Sequence, residues 1–326
     1  MNTIRKKSTG KNQPVKGKQE VIPPLVEQLE TSLSHLQQRF PELIGIGLGY
    51  RRRRGKIVPE ITVKLQVRLK IRHPSKSAEL LPKSIRLTTI ARGRAVTVSV
   101  PTDVEAPRRM TPTRSSVDGM KVAALASWSD DGGKRLFGVV TAGHGLDQPT
   151  TSVELADGSS TNGLVVAKSE LADHGYDVAL VQVNVVRAQL PNISAELLVP
   201  ASAQQLLTTL SSDPRDQLTI EGESWSSPTG EPIQALAFFV VWEWQGLPSL
   251  KRVVQCRGSI GTFEPGTSGS VWTTRLPGRL VLAIQSHAHQ PQYSQAEGTH
   301  FLSAIEWLKQ QPGISDLRIA WNSDGL

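Results

Sequence analysis

The apolar residues of the N-terminal part follow two different periods. Between two prolines and Pro41 they recur at helical spacing, at Leu25, Leu29, Leu33, Leu36 and Phe40. From Ile61 to Ile71 every second residue is apolar, and Lys64, Arg68, Lys70 and Arg72 occupy alternate positions on the other face. The first pattern predicts an amphipathic helix, and the second predicts a half-buried strand with a basic outer face.

Two further short segments complete this region. "LIGIGLGY" (residues 43–50) predicts a strand whose alternate glycines let another backbone approach closely, and "RRRRG" (51–55) is typical of the turn after it. "AVTVSV" (95–100) predicts another short strand. We therefore expect a small α+β domain over residues 23–105.

Residues 117–312 have a different texture, in which short apolar runs are separated by Gly, Pro, Ser and Asp. The runs are "VAALASW", "LFGVVTA", "NGLVVA", "DVALVQV", "ALAFFVVW" and "RLVLAIQS". Strands at this spacing predict an all-β sandwich or a pair of barrels. A helix-like segment at residues 300–311 ends at Pro312 and Gly313.

The segments between and beyond these regions contain few packable side chains. Residues 1–22 read as a disordered basic tail, and residues 106–116, with their prolines and arginines, as a linker. Residues 313–326 are expected to be a C-terminal tail. The sequence thus predicts a mainly β protein with a small α+β domain at its N-terminal side.

Charge divides the chain in the same way. The net charge is +8, but residues 1–115 carry 24 of the 37 basic and 8 of the 29 acidic residues. The N-terminal part is therefore at +16 and the remainder at −8. A basic surface of this kind suits nucleic acid or an acidic partner, but no aromatic residues alternate with the charges. A solvated face, or one docked on the acidic half, is the plainer interpretation.

Three observations bear on the compartment. Cys256 is the single cysteine, so no intrachain disulfide can form. The first twenty residues have no apolar segment typical of a secretory signal, and the longest apolar run, residues 235–242, is too short for a bilayer. We expect a cytoplasmic protein without a membrane span.

Three short motifs carry the candidate chemistry. His144 follows an apolar run between two glycines, Asp177 precedes another run, and Ser268 lies in "EPGTSGSVW". A serine hydroxyl can attack a carbonyl only if an imidazole takes its proton, and a buried carboxylate fixes the tautomer of that imidazole. Each motif alone is a common turn, so the order, the spacing and the all-β context give the combination its weight.

With "TAGH", "DVAL" and "GTSGS" in this order, the chain resembles the chymotrypsin/trypsin-like serine peptidases. The separations are 33 residues from His144 to Asp177 and 91 from Asp177 to Ser268. The resemblance implies a double β-barrel, with His144 as general base, Asp177 as its orienter and Ser268 as nucleophile. It implies a protein or peptide substrate and no cofactor or metal.

The resemblance assigns further roles. The N–H groups of Gly266 and Ser268 would form the oxyanion hole, and Ser286 would lie near the buried aspartate and border the substrate backbone. Residues 42–105 resemble the N-terminal domain of a group of bacterial and plant trypsin-like proteins. Thr267 stands where many secreted members carry Asp, and no "IVGG"-like mature amino terminus is visible. Activation by a new amino terminus is therefore not expected.

Several residues keep alternative interpretations. Asp173 competes with Asp177, and His174 reads as a loop histidine. Thr262 and Glu264 are candidates for the wall of the side-chain pocket. His287 and His289 could line that pocket, bind a metal or face solvent. Cys256 reads as strand interior, and "GIGLG" lacks the spacing of a phosphate-binding loop.

Two competing functional hypotheses remain open. The first is a catalytically inactive peptidase scaffold that binds nucleic acid or an acidic partner through its basic N-terminal surface. The second adds regulation to the peptidase hypothesis. The N-terminal domain would be a propeptide or gate, and the linker with Arg108, Arg109 and Arg114 would be a site of autoprocessing.

Overall fold

The computed structural model describes most of the chain. It covers residues 23–53, 56–68, 80–92, 94–106, 111–112, 121–170, 174–194, 196, 198–212, 219–222, 228–242, 250–274 and 279–326. The described residues are mainly β, with a closed barrel and a second sheet. The predicted basic tail, Gly55, Asp173 and Arg108, Arg109 and Arg114 of the linker lie outside these residues.

The described α-helices are α1 (Leu25–Arg39), α2 (Ala203–Ser212) and α3 (Phe301–Leu308), with 3₁₀ turns at Arg187–Gln189 and Ser323–Gly325. The first nine strands are β1 (Leu43–Arg53), β2 (Lys56–Val67), β3 (Ser84–Ala91), β4 (Arg94–Glu105), β5 (Thr111–Pro112), β6 (Ala124–Ser129), β7 (Arg135–Thr141), β8 (Thr150–Glu154) and β9 (Ser160–Ser169). The next nine are β10 (Val178–Val183), β11 (Val199–Pro200), β12 (Thr219–Gly222), β13 (Ile233–Trp242), β14 (Leu250–Arg257), β15 (Val271–Thr274), β16 (Leu280–Ala288), β17 (Gln295–His300) and β18 (Ser315–Ala320).

Six antiparallel strands form the closed barrel. They run in the order β12–β15–β16–β17–β14–β13, and β13 pairs in turn with β12. Closure removes the open edges of the sheet. The core of this barrel contains large side chains such as Phe238, Phe263 and Trp272, each fully buried.

The N-terminal strands continue the sheet of the barrel. β1 pairs with β13 on one side and with β2 on the other, and β4 and β3 follow. A Cβ atom on Gly47 would lie 2.4 Å from the carbonyl oxygen of Phe238, so only glycine permits this approach. The alternate glycines of "GIGLG" therefore serve strand packing, as predicted. Leu29 and Leu33 of α1 are buried in the same core as the barrel.

The second sheet has six antiparallel strands in the order β18–β6–β7–β10–β9–β8. Its core is separate from that of the barrel and includes Trp128, Leu180 and Trp321. Phe301 and Leu308 of α3 pack into this second core, as do Val281 and Ile284 of the barrel strand β16. The two sheets are therefore in direct contact along β16.

One prediction about the N-terminal region is wrong. Lys64 does not face solvent but is 2% exposed, with its ammonium group 2.8 Å from Asp103 and 2.6 Å from Glu105. β4 lies parallel to β2 and brings these two carboxylates onto the supposedly basic face. Lys70 and Arg72 lie outside the described residues. Ion pairing between strands, which periodicity does not reveal, explains the difference.

Two predicted boundaries also need correction. Within residues 313–326, expected as a tail, β18 pairs with β6 as an edge strand of the second sheet, and Leu317 is buried. Within the predicted linker, Thr111 and Pro112 pair with β16. Both segments are too short to show a clear period, and each is ordered by a partner strand.

Membrane insertion through a helix finds no support in the described ranges. None of the helices they contain has the length and apolarity that a bilayer crossing requires.

Candidate active site

His144 follows β7 in a turn that brings it against Asp177. The backbone of Gly143 passes so close to the next strands that a Cβ atom there would lie 2.2 Å from the carbonyl oxygen of Ser169. The backbone N–H groups of Gly143 and His144 both donate to Oδ1 of Asp177, each at 2.8 Å. The position of the imidazole is thus fixed by backbone as well as by side chain.

Asp177 precedes β10 and is fully buried. Its Oδ2 atom lies 2.6 Å from Nδ1 of His144 and also accepts a hydrogen bond from the hydroxyl group of Ser286. Burial alone would raise the pKa of Asp177, but attraction to His144 and these hydrogen bonds outweigh it. The pKa lies well below its ordinary range, and the carboxylate is ionised near neutral pH.

Ser268 lies in the turn between β14 and β15, at the barrel side of the sheet contact. Gly266 and Gly269 have φ angles of 98° and 83°, which favour glycine. A Cβ atom on Gly269 would also lie 2.2 Å from the carbonyl oxygen of Lys121. The two glycines therefore allow a sharp turn that presents the Ser268 side chain to the second sheet.

The hydroxyl oxygen of Ser268 lies 2.9 Å from Nε2 of His144. Because the ionised Asp177 can only accept hydrogen bonds, Nδ1 of His144 carries a proton, and Nε2 of the neutral ring is then an acceptor. Ser268 can therefore donate to His144, and His144 to Asp177. The side chains that the sequence singled out at three distant positions form one hydrogen-bonded chain across the two sheets.

Thr267, next to Ser268, is held by a neutral network. Its hydroxyl group donates to the carbonyl oxygen of Glu264 at 2.8 Å and accepts from the amide of Gln285 at 2.6 Å. The indole N–H of Trp272 donates to the same Gln285 side chain at 3.2 Å. These bonds fix the serine turn without an ion pair at position 267.

Ser286 and His287 lie on β16 beside the Ser-His-Asp chain. The Ser286 hydroxyl donates to Asp177, so at 2.7 Å it accepts from Nδ1 of His287. The rings of His287 and His144 are 5.3 Å apart. Burial lowers the pKa of His287 to about 3, so this imidazole is neutral. His287 is buried and does not face solvent, which corrects that interpretation.

Three further residues that the sequence singled out, Thr262, His174 and Cys256, have contacts of their own. Thr262 is buried, and its hydroxyl group donates to the carbonyl oxygen of Ser259 at 2.9 Å. The ring of His174 packs against that of Trp307, with 5.5 Å between the ring centroids. Cys256 is buried in β14, and burial raises the pKa of its thiol, in agreement with the prediction of a strand interior.

Sequence reasoning missed Gln285 and Thr299. Thr299, on β17, accepts a hydrogen bond from the backbone N–H of Asp177 at 3.2 Å. Both residues support the site from barrel strands whose pattern only indicates burial. A polar residue at a buried strand position, as Gln285 is in "LAIQS", is the one signal that marks such a supporting group.

No protein-family model matches this chain, and a search of curated proteins finds no significant match.

Proposed function

We propose that this protein is a serine endopeptidase of the chymotrypsin-like type. The observation that carries the proposal is the hydrogen-bonded chain from Ser268 through His144 to Asp177, at 2.9 and 2.6 Å. Its parts come from two sheets and from three strand ends. A fold alone does not imply an activity, so the proposal depends on this geometry rather than on the β architecture.

In the proposed reaction Ser268 Oγ attacks the carbonyl carbon of a peptide bond while its proton moves to Nε2 of His144. Asp177 stabilises the imidazolium that forms and is not itself protonated. His144 then gives the proton to the leaving amine, and an acyl ester remains on Ser268. A water molecule activated by His144 hydrolyses this ester and regenerates the serine.

The oxyanion of the tetrahedral intermediate would be bound by the N–H groups of Gly266 and Ser268. The left-handed backbone of Gly266 supports this assignment, because it lets two N–H groups of one turn point toward the same side. Removal of one such donor costs about 2.7–4 kcal/mol of transition-state stabilisation in enzymes of this type.

The proposed fold is a double barrel. The closed barrel would be the second barrel, which carries Ser268 and Ser286, and the six-stranded sheet would be the first, which carries His144 and Asp177. The separate cores of the two units support this assignment. The substrate class is protein or peptide, and the proposed compartment is the cytoplasm.

The alternative of an inactive scaffold with a basic binding surface has less support. Lys64 is buried with two carboxylates, and Arg51 pairs with Glu60 at 2.8 Å. These pairs reduce the positive charge that the described part of the N-terminal region offers to a phosphate backbone. The Ser-His-Asp chain, in turn, has all the groups that acyl transfer requires.

Fluorophosphonate labelling tests the proposal directly, since the probe reacts with a serine activated by a neighbouring base. Wild-type protein is expected to label, and Ser268→Ala is not. Ser270→Ala, two residues further along the same turn, is the matched control and should label like the wild type. Circular dichroism melts would show that all three proteins are folded. Equal labelling of wild type and Ser268→Ala, or none in either, refutes the assignment.

A peptide library digested with the same proteins would complete the test. Internal cleavage by wild type and by Ser270→Ala, but not by Ser268→Ala, supports an endopeptidase. Labelling of Ser268 without cleavage of any peptide would instead favour an acyl-transfer enzyme with another substrate.

A further inference from the structure

The edge of β16 beside Ser268 already holds another strand. On one side β16 pairs with β17 as far as Ala288. On its other side β15 pairs up to Ile284, and the backbone of the serine turn then bonds to Gln285, with Gly269 N donating to its carbonyl at 3.0 Å. The next positions on this side pair antiparallel with β5, as His287 with Pro112 and Ala288 with Thr111.

β5 therefore occupies the first open stretch of β16 past the serine turn. An extended peptide that adds a strand here obtains backbone hydrogen bonds from β16 and runs past the Ser286 side of the Ser-His-Asp chain. Such a strand lies on the same side of β16 as the serine turn, so under the proposed function it can present a carbonyl carbon to Ser268. Proline is compatible with residue 112 of β5, because an edge strand pairs on one side only and not every backbone N–H group has to donate a hydrogen bond.

A second segment of the chain, at Lys121, also contacts the serine turn. The backbone N–H of Lys121 donates to the carbonyl oxygen of Ser268 at 3.2 Å, and its own carbonyl oxygen accepts from Thr141 at 2.7 Å. The described residues that flank positions 113–120, Pro112 and Lys121, thus both contact the site. Ser268 itself is only 4% exposed.

We propose that the chain's own Thr111–Pro112, paired with β16 at His287 and Ala288, occupies the strand edge that the backbone of a peptide substrate would use and so competes with the substrate. This inference rests on the proposed peptidase function. A substrate must displace β5 before it can bind. Because the occupant is tethered, it competes at the high effective concentration of an intramolecular ligand, and this raises the apparent KM but not the barrier of the chemical step.

A reversible cross-link tests the proposal. Directly paired residues of antiparallel strands have Cα atoms within the range that a disulfide spans, so Thr111→Cys with Ala288→Cys should oxidise to a disulfide. We expect the oxidised protein to hydrolyse peptides at least ten-fold more slowly than the same protein after reduction. Thr111→Cys alone is the control for oxidation and should not respond to reductant.

A second variant releases the strand without touching β16. Replacement of Thr111 and Pro112 by glycine increases the conformational entropy that this segment loses when it pairs with β16, and the pairing is therefore weakened. We expect KM for a peptide substrate to fall several-fold while kcat stays unchanged. The same replacement at Val199 and Pro200 of β11, which pairs with β16 at Leu280 and Val281, should leave KM as in the wild type.

Some outcomes overturn the inference and leave the proposed function intact. These are a folded, fluorophosphonate-reactive cysteine pair that does not cross-link, a cross-linked protein with unchanged turnover, and an unchanged KM in the glycine variant. If no protein hydrolyses peptides, binding provides the readout. A fluorescein-labelled peptide with the sequence of residues 106–116 should bind the cysteine pair in a Ser268→Ala background only after reduction. Equal binding in both redox states refutes the inference independently of catalysis.

Discussion

Two buried polar clusters of this protein are built in opposite ways. Around Lys64, the charged groups lie on two neighbouring strands of one sheet: β2 supplies the ammonium group, and β4 supplies Asp103 and Glu105. Around Ser268, the groups lie at strand ends and turns, and they meet where the two sheets touch.

The difference distinguishes a structural cluster from the proposed catalytic one. The Lys64 cluster is fixed by the register of β2 and β4, in which Lys64 lies opposite Asp103. At the serine site a glycine-rich turn directs one hydroxyl group toward an imidazole that can accept its proton. Turns from two different sheets can bring together side chains that react with one another. Paired strands can bring together ions that compensate one another's charge, and loss of one ion then destabilises the fold.

The largest expected effect is on the Ser-His-Asp chain. Asp177→Asn would place an amide where Oδ2 now accepts from Nδ1 of His144, and the neutral ring would then hold its proton on the wrong nitrogen. We expect kcat for peptide hydrolysis to fall about 10⁴-fold. Steady-state kinetics on a peptide identified by library digestion would measure it, with a thermal melt to show folding. A loss below ten-fold would contradict the assigned role of Asp177.

The next largest effect is on the structural cluster. Lys64→Met leaves two partly buried carboxylates without their cation, so we expect the free energy of unfolding to fall by about 3–5 kcal/mol. Urea denaturation would measure it. Glu60→Gln, which breaks the more exposed pair with Arg51, is the matched control and should cost no more than about 1 kcal/mol. Equal effects of the two substitutions would remove the distinction between a buried cluster and a surface pair.

A third prediction concerns Glu297 on β17, whose Oε1 accepts from the amide of Gln255 at 2.6 Å. Burial, with a further contribution from the charge of Glu105, raises the pKa of Glu297 from 4.5 to about 7. The folded state therefore keeps a proton that the unfolded chain loses. The contribution of Glu297 to stability is fully present below about pH 4.5 and is lost as the pH rises through about 7.

Glu297→Gln should remove this dependence. We expect the variant to gain stability relative to the wild type at pH 8, by about 2–3 kcal/mol, and to differ little from it at pH 5. Urea denaturation at the two pH values would measure the change. A gain of the same size at both pH values would show that packing, and not the proton, is responsible.

The smallest expected effect is at Ser286, which connects the two imidazoles through Asp177. Ser286→Ala removes one of the donors to the carboxylate while the bond to His144 remains. We expect kcat to fall about ten-fold, which corresponds to the lower end of the roughly 1.5–3 kcal/mol that one hydrogen bond to a charged group is worth. Ser315→Ala, on the exposed edge strand β18, is the control. An unchanged kcat in Ser286→Ala would limit this residue to a structural role.

The parts of the fold that were predictable are those with a local signature. Short apolar runs separated by Gly, Pro, Ser and Asp marked β7, β10, β13 and β16, and the helical period marked α1. The three residues of the hydrogen-bonded chain were accessible because each lies in a turn motif next to an apolar run. The local sequence pattern indicates which residues are buried and where the backbone turns, and the recognition of these motifs requires no further information.

Contacts between distant segments were not predictable in this way. Lys64 was expected in solvent because its strand alternates, and only the pairing of β2 with β4 shows that carboxylates cover it. β5 and β18 are too short to show any period. The sequence pattern around Gln285 indicates a buried strand, but it does not show that this side chain bonds to Thr267. The sequence by itself determined the strands with a clear apolar pattern, the long helix and the chemical groups available at each turn. Which of these groups meet was decided by the tertiary structure, because strand pairing joins segments that are far apart in the chain and that carry no information about one another's position.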